Sequence, residues 1–247
     1  MWNPEQYERF KAERKQPFTD LVALIEHRPG LRLLDLGCGT GELTRELHEH
    51  LHAEESVGID SSDTMLFKSE PYGTEMLRFE QADIAAFVTD RPYDVIFSNA
   101  ALQWVADHET LLHRLTSFLS PRGQLAVQIP VNDDHPSHAL AAGLAREYGI
   151  DPRPLHTLRP EHYAELLNHL GYQRQHVRMQ VYGHLLDSAA DVVEWVKGTL
   201  LNDYEQRLGP DRFPAFLSQY RERVLASLPT VTPYFYTYKR ILFWGSF

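Results

Sequence analysis

Asp35-Leu36-Gly37-Cys38-Gly39-Thr40-Gly41 closes an apolar run and opens a helix. The run before it holds Leu31, Leu33, Leu34 and Leu36, and residues 42–51 read as the helix after it. The order is therefore strand, glycine loop, helix. Gly37, Gly39 and Gly41 let the chain turn sharply and let a ligand approach main-chain atoms that a Cβ would block. A dinucleotide-binding loop uses the same logic with the spacing G-x-G-x-x-G. Here the spacing is the tighter G-x-G-x-G, and an acid, Asp35, precedes it.

Outward from this loop, strands and helices alternate. Residues 31–35, 56–60, 76–81, 93–98 and 124–129 read as strands. Helices are expected over residues 63–69, with Ser61 or Ser62 as cap, and over 107–119, which ends at the turn Ser120-Pro121-Arg122-Gly123. Such alternation predicts an α/β fold with a doubly wound, mostly parallel sheet. After Pro130 the pattern changes. It reads as a connector and helix over 131–149, a break at Asp151-Pro152-Arg153-Pro154, a helix over 161–170 and a strand over 174–182. Helices over 189–208 and 213–227 follow, then an aromatic strand over 234–244, expected as an antiparallel edge. At the other end, Asn3-Pro4 can start a helix that puts Tyr7, Phe10 and Arg14 on one face. A second helix over 19–26 stops at Pro29-Gly30. The expected organisation is one domain: an N-terminal helical lid at 1–28, a cofactor-binding core at 29–130, and a cap of helices and final strands at 131–247.

The 247 residues suffice for one large domain with a substantial core. Net charge is −10 with no long cationic run, which disfavours a non-specific grip on nucleic acid. The single cysteine, Cys38, rules out an internal disulfide framework and reads as a small residue fitting a tight loop. No apolar run reaches membrane-span length, and the N-terminus lacks the pattern of a secretory signal. The expected setting is reducing and cytoplasmic, without a membrane. Nothing in the sequence speaks for or against self-assembly. The thirteen histidines are dispersed, no H-E-x-x-H occurs, and one cysteine cannot build a thiolate site, so no metal centre is expected.

Three segments downstream of the loop carry nucleoside chemistry. Asp60 ends the second strand, about 20 residues past the loop, where a carboxylate can accept both hydroxyls of a ribose. Asp83 follows the third strand and can accept from an adenine amine, with the Ile84 backbone N–H offered to a ring nitrogen. Ser98-Asn99-Ala100-Ala101-Leu102-Gln103-Trp104 follows the fourth strand. Its small residues leave room for a ligand tail, and the Trp104 ring offers a face to a cation.

The glycine loop with its leading acid resembles motif I of the class I S-adenosylmethionine (SAM)-dependent methyltransferases. Nearly the whole chain is similar to the trans-aconitate 2-methyltransferase family. The resemblance rests on Trp2-Asn3-Pro4 with Tyr7, Phe10, Ala12-Glu13-Arg14 and Pro17 at the N-terminus. It continues through Gly58-Ile59-Asp60-Ser61-Ser62 with Met65, Ala82-Asp83-Ile84, Asn99-Ala100 with Leu102-Gln103-Trp104, and 125–130 with Asn132, Pro136 and His138. Trp195-Val196 with Thr199, then Arg240, match more sparsely.

The resemblance implies a Rossmann-like sheet with a helical cap and a SAM cofactor. It implies cofactor contacts from Asp35, Gly37, Gly39, Asp60, Ser61, Met65, Asp83, Ile84, Asn99, Ala100 and Trp104. It implies acceptor contacts from Tyr7, Arg14, His138, Trp195 and Arg240. The family methylates a carboxylate of a small polycarboxylic acid. That group is already ionised at neutral pH, so no general base is required and catalysis reduces to positioning and exclusion of water. Two cations of the family pattern are absent: Gln16 stands where an Arg precedes the Pro, and Asn202-Asp203 stands where Arg-Pro follows the Trp-Val segment. An acceptor of lower charge is the expectation. Methylation at O, N or C of another small metabolite, or SAM binding without turnover, fits the same cofactor residues. An amino-directed DNA enzyme does not, because residues 99–102 lack the Asn-Pro-Pro-Tyr type of motif that holds a flipped base.

Overall fold

Short apolar runs between turns become central strands because helices can cover both of their faces. In the computed structural model, which describes residues 11–247 and side chains from residue 15 onward, β1 (Arg32–Leu36) buries Leu33, Leu34 and Leu36 completely. β2 (Glu55–Asp60), β3 (Leu77–Gln81), β4 (Tyr93–Asn99) and β5 (Leu119–Pro130) follow, with β6 (Arg174–Leu186) and β7 (Tyr234–Ser246) after the cap segments. The sheet order is β3-β2-β1-β4-β5-β7-β6. β1 pairs in parallel with β2 and β4, β2 with β3, and β4 with β5, while β7 runs antiparallel to β5. The last strand in sequence thus lies between β5 and β6, and the edge falls to β6. The chain winds one way from β1 to β3 and the other way from β4 onward. Ligands of open α/β sheets bind at the carboxyl ends of the strands beside such a switch.

Helix α1 (Lys11–Val22) is continuous through Pro17, where the sequence predicted two helices. Pro17 and Phe18 are both buried, and Phe18 meets Phe97 of β4 edge-on at 5.6 Å, so packing outweighs the backbone bond a proline removes. α2 (Glu42–Leu51) follows the glycine loop and buries Thr44, Leu47 and Leu51, which share one face at helical spacing. α3 (Asp63–Ser69) is capped by the Ser62 hydroxyl accepting from Met65 N–H, and α4 (His108–Ser117) by the Asp107 carboxylate accepting from Thr110 N–H.

α5 (Pro136–Glu147), α6 (Pro160–His169), α7 (Ala190–Lys197) and α8 (Leu200–Ser227) complete the helices among the described residues. The boundaries in this half differ from expectation. The helix predicted over 189–208 breaks at Gly198-Thr199, and the part after the break joins the next predicted helix as α8, kinked at Gly209 (φ 71°, ψ 175°) ahead of Pro210. Periodicity alone ran past one glycine and stopped at the other.

Contacts divide the chain into two compact units. One holds 17–130, 156–180 and 240–247; its core is the sheet, with Leu34, Ile59, Val95, Ile96, Leu125 and Ile129 almost wholly buried. The other holds 131–155 and 181–239 with the described residues ahead of Pro17. Its core is α5, α7 and α8 around Phe216, Tyr220, Tyr236 and Trp195. The strands β6 and β7 each run through both units.

Candidate cofactor and acceptor site

The glycine loop is tied to the neighbouring strand by its own backbone. Gly37 and Cys38 N–H both donate to Ile59 C=O, at 2.8 and 2.9 Å. Gly37 sits at φ +79°, and a Cβ there would stand 2.3 Å from the Cβ of Ala101, so only glycine fits. Gly39 has the opposite surroundings: φ is +57° and nothing lies within 4 Å of where a Cβ would stand. The loop is thus wedged shut on one side and open on the other.

Two acids flank the opening with different roles. Asp35, 5% exposed, accepts from Thr44 Oγ1 at 2.6 Å. Burial raises its carboxyl to about 7, opposed by the Thr44 hydrogen bond and assisted by the negative charge of Asp60. Asp60 Oδ2 accepts from Gly39 N–H and Oδ1 from Ser62 N–H, both at 2.9 Å. Each of those oxygens keeps a further lone pair, so the carboxylate can hold the loop and still accept two hydroxyls. Cys38 lies buried between them. Burial and both negative charges push its thiol far up, which leaves it a small apolar residue in a tight loop.

The remaining cofactor candidates stand on the same unit. Asp83 Oδ1 accepts from Ala85 N–H at 2.8 Å, which fixes the turn after β3. The next turn is held from α4, because Arg114 donates to the carbonyls of Ile84 and Ala85. Ser61 C=O accepts from Gln81 Nε2 at 3.3 Å, and Met65 opens the first turn of α3. Asn99 ends β4, and Ala100 turns the chain at φ 58°. Asn99 Oδ1 is buried with no hydrogen-bond partner among the described residues. Trp104 is 51% exposed, so its ring is not spent in the core. An open glycine loop, a carboxylate with spare lone pairs and an orphaned amide oxygen fit a nucleoside that carries a polar tail. SAM is such a molecule.

The acceptor candidates are distributed differently. Arg240 lies on β7 opposite Pro130 of β5, is 7% exposed, and donates from Nη1 to Gln128 Oε1 at 3.0 Å. His138 and Trp195 belong to the other unit. His138 Nδ1 meets Ser137 Oγ at 3.0 Å, and burial lowers its pKa to about 3, with the charges of Arg153 and His135 adding to the fall. It is neutral at pH 7, so it can offer a hydrogen bond but no positive charge to an acid. Trp195 is 2% exposed, stacked on His184 at 4.6 Å and packed near Tyr236 and Tyr238. Arg14 lies in α1, its side chain outside the described residues, as is the whole of Tyr7.

Sequence reasoning missed Thr44, Arg114 and Gln128. Only Gln128 left a signal, as a polar residue inside the apolar run of β5. Among the described residues no group of three or more His, Cys, Asp or Glu could hold a metal, and no helix is long and apolar enough to cross a membrane.

Comparison with known proteins places this geometry. A family described as a methyltransferase domain matches residues 7–180. A trans-aconitate 2-methyltransferase of Deinococcus radiodurans is 41% identical over 98% of this chain and 96% of its own length. A second, from Streptomyces avermitilis, is 38% identical over 92% of this chain and 90% of its own. Among solved structures, the YcgJ protein of a Bacillus species superposes with a TM-score of 0.63 at 16% identity, covering 94% of this chain and 97% of that one, a likeness of fold. Identity at this level over nearly the full length of both chains is a relationship of family: this chain belongs to the class I SAM-dependent methyltransferases, in the group that holds the trans-aconitate 2-methyltransferases.

Proposed function

We propose that this protein methylates a carboxylate oxygen of a small organic acid resembling trans-aconitate. The observation that carries this reading is Arg240, a buried guanidinium at the carboxyl edge of the sheet, on the unit that also presents the glycine loop, Asp60 and Asp83. A buried guanidinium offers N–H donors in a planar fork that matches a carboxylate. The trans-aconitate 2-methyltransferases of D. radiodurans and S. avermitilis supply the class of acid.

Bound SAM supplies an electrophilic sulfonium methyl that an ionised carboxylate takes directly, with no proton to move. The work of the chain is then to bind and to orient. Asp60 accepts the ribose hydroxyls, Asp83 and the Ile84 N–H read the adenine, and the loop from Asp35 to Gly41 passes around the tail. Asn99, Ala100 and Trp104 face the transferring methyl, and Ser61 and Met65 line the nucleoside. Arg240 would hold the acceptor by its charge and so help to orient the carboxylate for transfer. We assign water exclusion and acceptor choice to the lid, residues 1–28, and the cap, residues 131–247, with Tyr7, Arg14, His138 and Trp195 as their contributions.

The acceptor carries less charge than a tricarboxylate. Gln16 and Asn202 stand where the family pattern has cations, Asn202 Nδ2 donates to Gly198 C=O just ahead of its own helix, and Asp203 pairs with Arg207 at 2.9 Å. The net charge of −10 keeps nucleic acid out of this reading, and the lone buried cysteine suits a reducing cytoplasm. A methyl-transfer assay over mono-, di- and tricarboxylic acids, with trans-aconitate included, tests both levels. Methyl ester from a dicarboxylate at the highest kcat/KM is the expected result. Trans-aconitate turning over fastest removes the charge argument, and no ester from any acid removes the function.

A further inference from the structure

The carboxyl edge of the sheet lays its polar residues out in spatial order. From β3 inward they run Asp83, Asp60, the glycine loop, Asn99, Gln128 and then Arg240 on β7. Strands lie about 4.8 Å apart, so Gln128 stands about 10 Å from the end of β1, on the side away from the nucleoside residues. Asn99 and Gln128 are direct register partners across β4 and β5, so both side chains leave the same face of the sheet.

Gln128 has no exposed surface. Its Oε1 accepts from Arg240 Nη1 at 3.0 Å, and its Nε2 is buried with no hydrogen-bond partner among the described residues. A guanidinium only donates, so the amide cannot be turned the other way round: oxygen faces Arg240 and the NH2 group faces away from it. Burying two N–H donors without acceptors is destabilising, and a methionine of the same length would fill the space without that cost. Accepting from Arg240 explains the oxygen end of the amide; an acceptor-rich group arriving at the other end would explain the two N–H donors.

We propose that Gln128 is an acceptor-binding residue, whose amide N–H groups donate to a carboxylate oxygen of the organic acid. Arg240 is its positioning partner. The guanidinium orients the amide, polarises it so that the N–H groups donate more strongly, and gives the spot a positive potential suited to an anion. This inference rests on the carboxylate-acceptor reading above.

The test is Gln128→Met, read in three ways. Expected are a KM for the acid raised by about tenfold or more with kcat little changed, the outcome of losing hydrogen bonds to a charged group. Calorimetry should show S-adenosylhomocysteine bound as tightly as in the wild type, and trans-aconitate binding to that complex weakened in step with KM. The thermal midpoint should change little, because the gain from losing an unsatisfied donor offsets the acceptor lost to Arg240. An unchanged KM and acid affinity overturns the proposal, and so does a parallel loss of S-adenosylhomocysteine affinity, which would place Gln128 on the cofactor. Should Gln128→Met fail to fold, Gln128→Glu keeps the shape and the Arg240 contact while turning the donor end into a repelling oxygen. It must weaken the acid at least as much. A wild-type complex that binds no small carboxylate also overturns the proposal. Acid binding that depends on Gln128 without any methyl transfer would instead leave it standing and overturn the proposed function.

Discussion

Replacing Asp35 by asparagine should change how stability responds to pH, because a buried carboxyl folds with a different proton affinity from the one it has unfolded. In the folded chain burial raises Asp35 to about 7, against 3.8 for an ordinary aspartate. Below both values the group is protonated in either state and contributes nothing. Between them the folded state keeps a proton that the unfolded state has lost, so stability falls as pH rises and levels off above about 7. Roughly three pH units at 1.36 kcal/mol each amount to a loss on the order of 4 kcal/mol. The substituted amide cannot ionise, and its oxygen can still accept from Thr44 Oγ1, which now bonds Asp35 at 2.6 Å. Urea unfolding of the cofactor-free protein from about pH 4 to pH 8 should therefore give two curves that coincide in acid and diverge upward. Asp35→Asn should be the more stable by a few kcal/mol at neutral pH. Every other titrating group cancels in the difference. Parallel curves across that range would show that Asp35 is hydrated or paired when folded, and the argument from burial would be lost.

On the proposed ribose role, Asp60→Ala would remove two charge-assisted hydrogen bonds to the cofactor, at about 1.5 kcal/mol or more each, so SAM affinity should fall by at least roughly a hundredfold. Calorimetry that finds the dissociation constant within threefold of the wild type would take the ribose away from Asp60. Gly37→Ala forces a left-handed backbone on a residue with a Cβ and sets that Cβ 2.3 Å from Ala101, so it should destabilise the fold by about 2–4 kcal/mol. An unchanged denaturation midpoint would mean that the segment at Ala101 gives way freely.

Much of the core was readable because its signals are local. Burial on both faces demands apolar runs of strand length, and β1, β2 and β4 show them within a residue of where they lie. The cap of α3 was narrowed to Ser61 or Ser62 from neighbouring residues alone, and Ser62 is the one that accepts from Met65 N–H. Boundaries failed where the deciding contact is remote. α1 runs through Pro17 because Phe18 meets Phe97, some eighty residues away in the chain. No window around Pro17 contains that contact. Gly198 ends α7, while Gly209, ahead of Pro210, only kinks α8, whose two parts bury side chains in one core with α5 and α7.

The same division runs through the site. Asp35 to Gly41, Asp60 and Asp83 could be proposed as cofactor residues from the chain alone, because their spacing follows the repeat of strand and helix, and each acid stands at or just past the end of a strand. Which polar groups are left over after folding is not written in any local pattern. It depends on the register that sets Gln128 beside Asn99 and diagonally across from Arg240, residues 29 and 112 positions apart from it in sequence. Burial, too, is a property of the assembled molecule. It makes His138 a neutral donor rather than a cation, and it leaves the amide of Gln128 with hydrogen bonds still to make. Local sequence sets where the chain can turn around a cofactor; the removal of water by distant segments sets the charge and the hydrogen-bonding capacity that meet the acceptor.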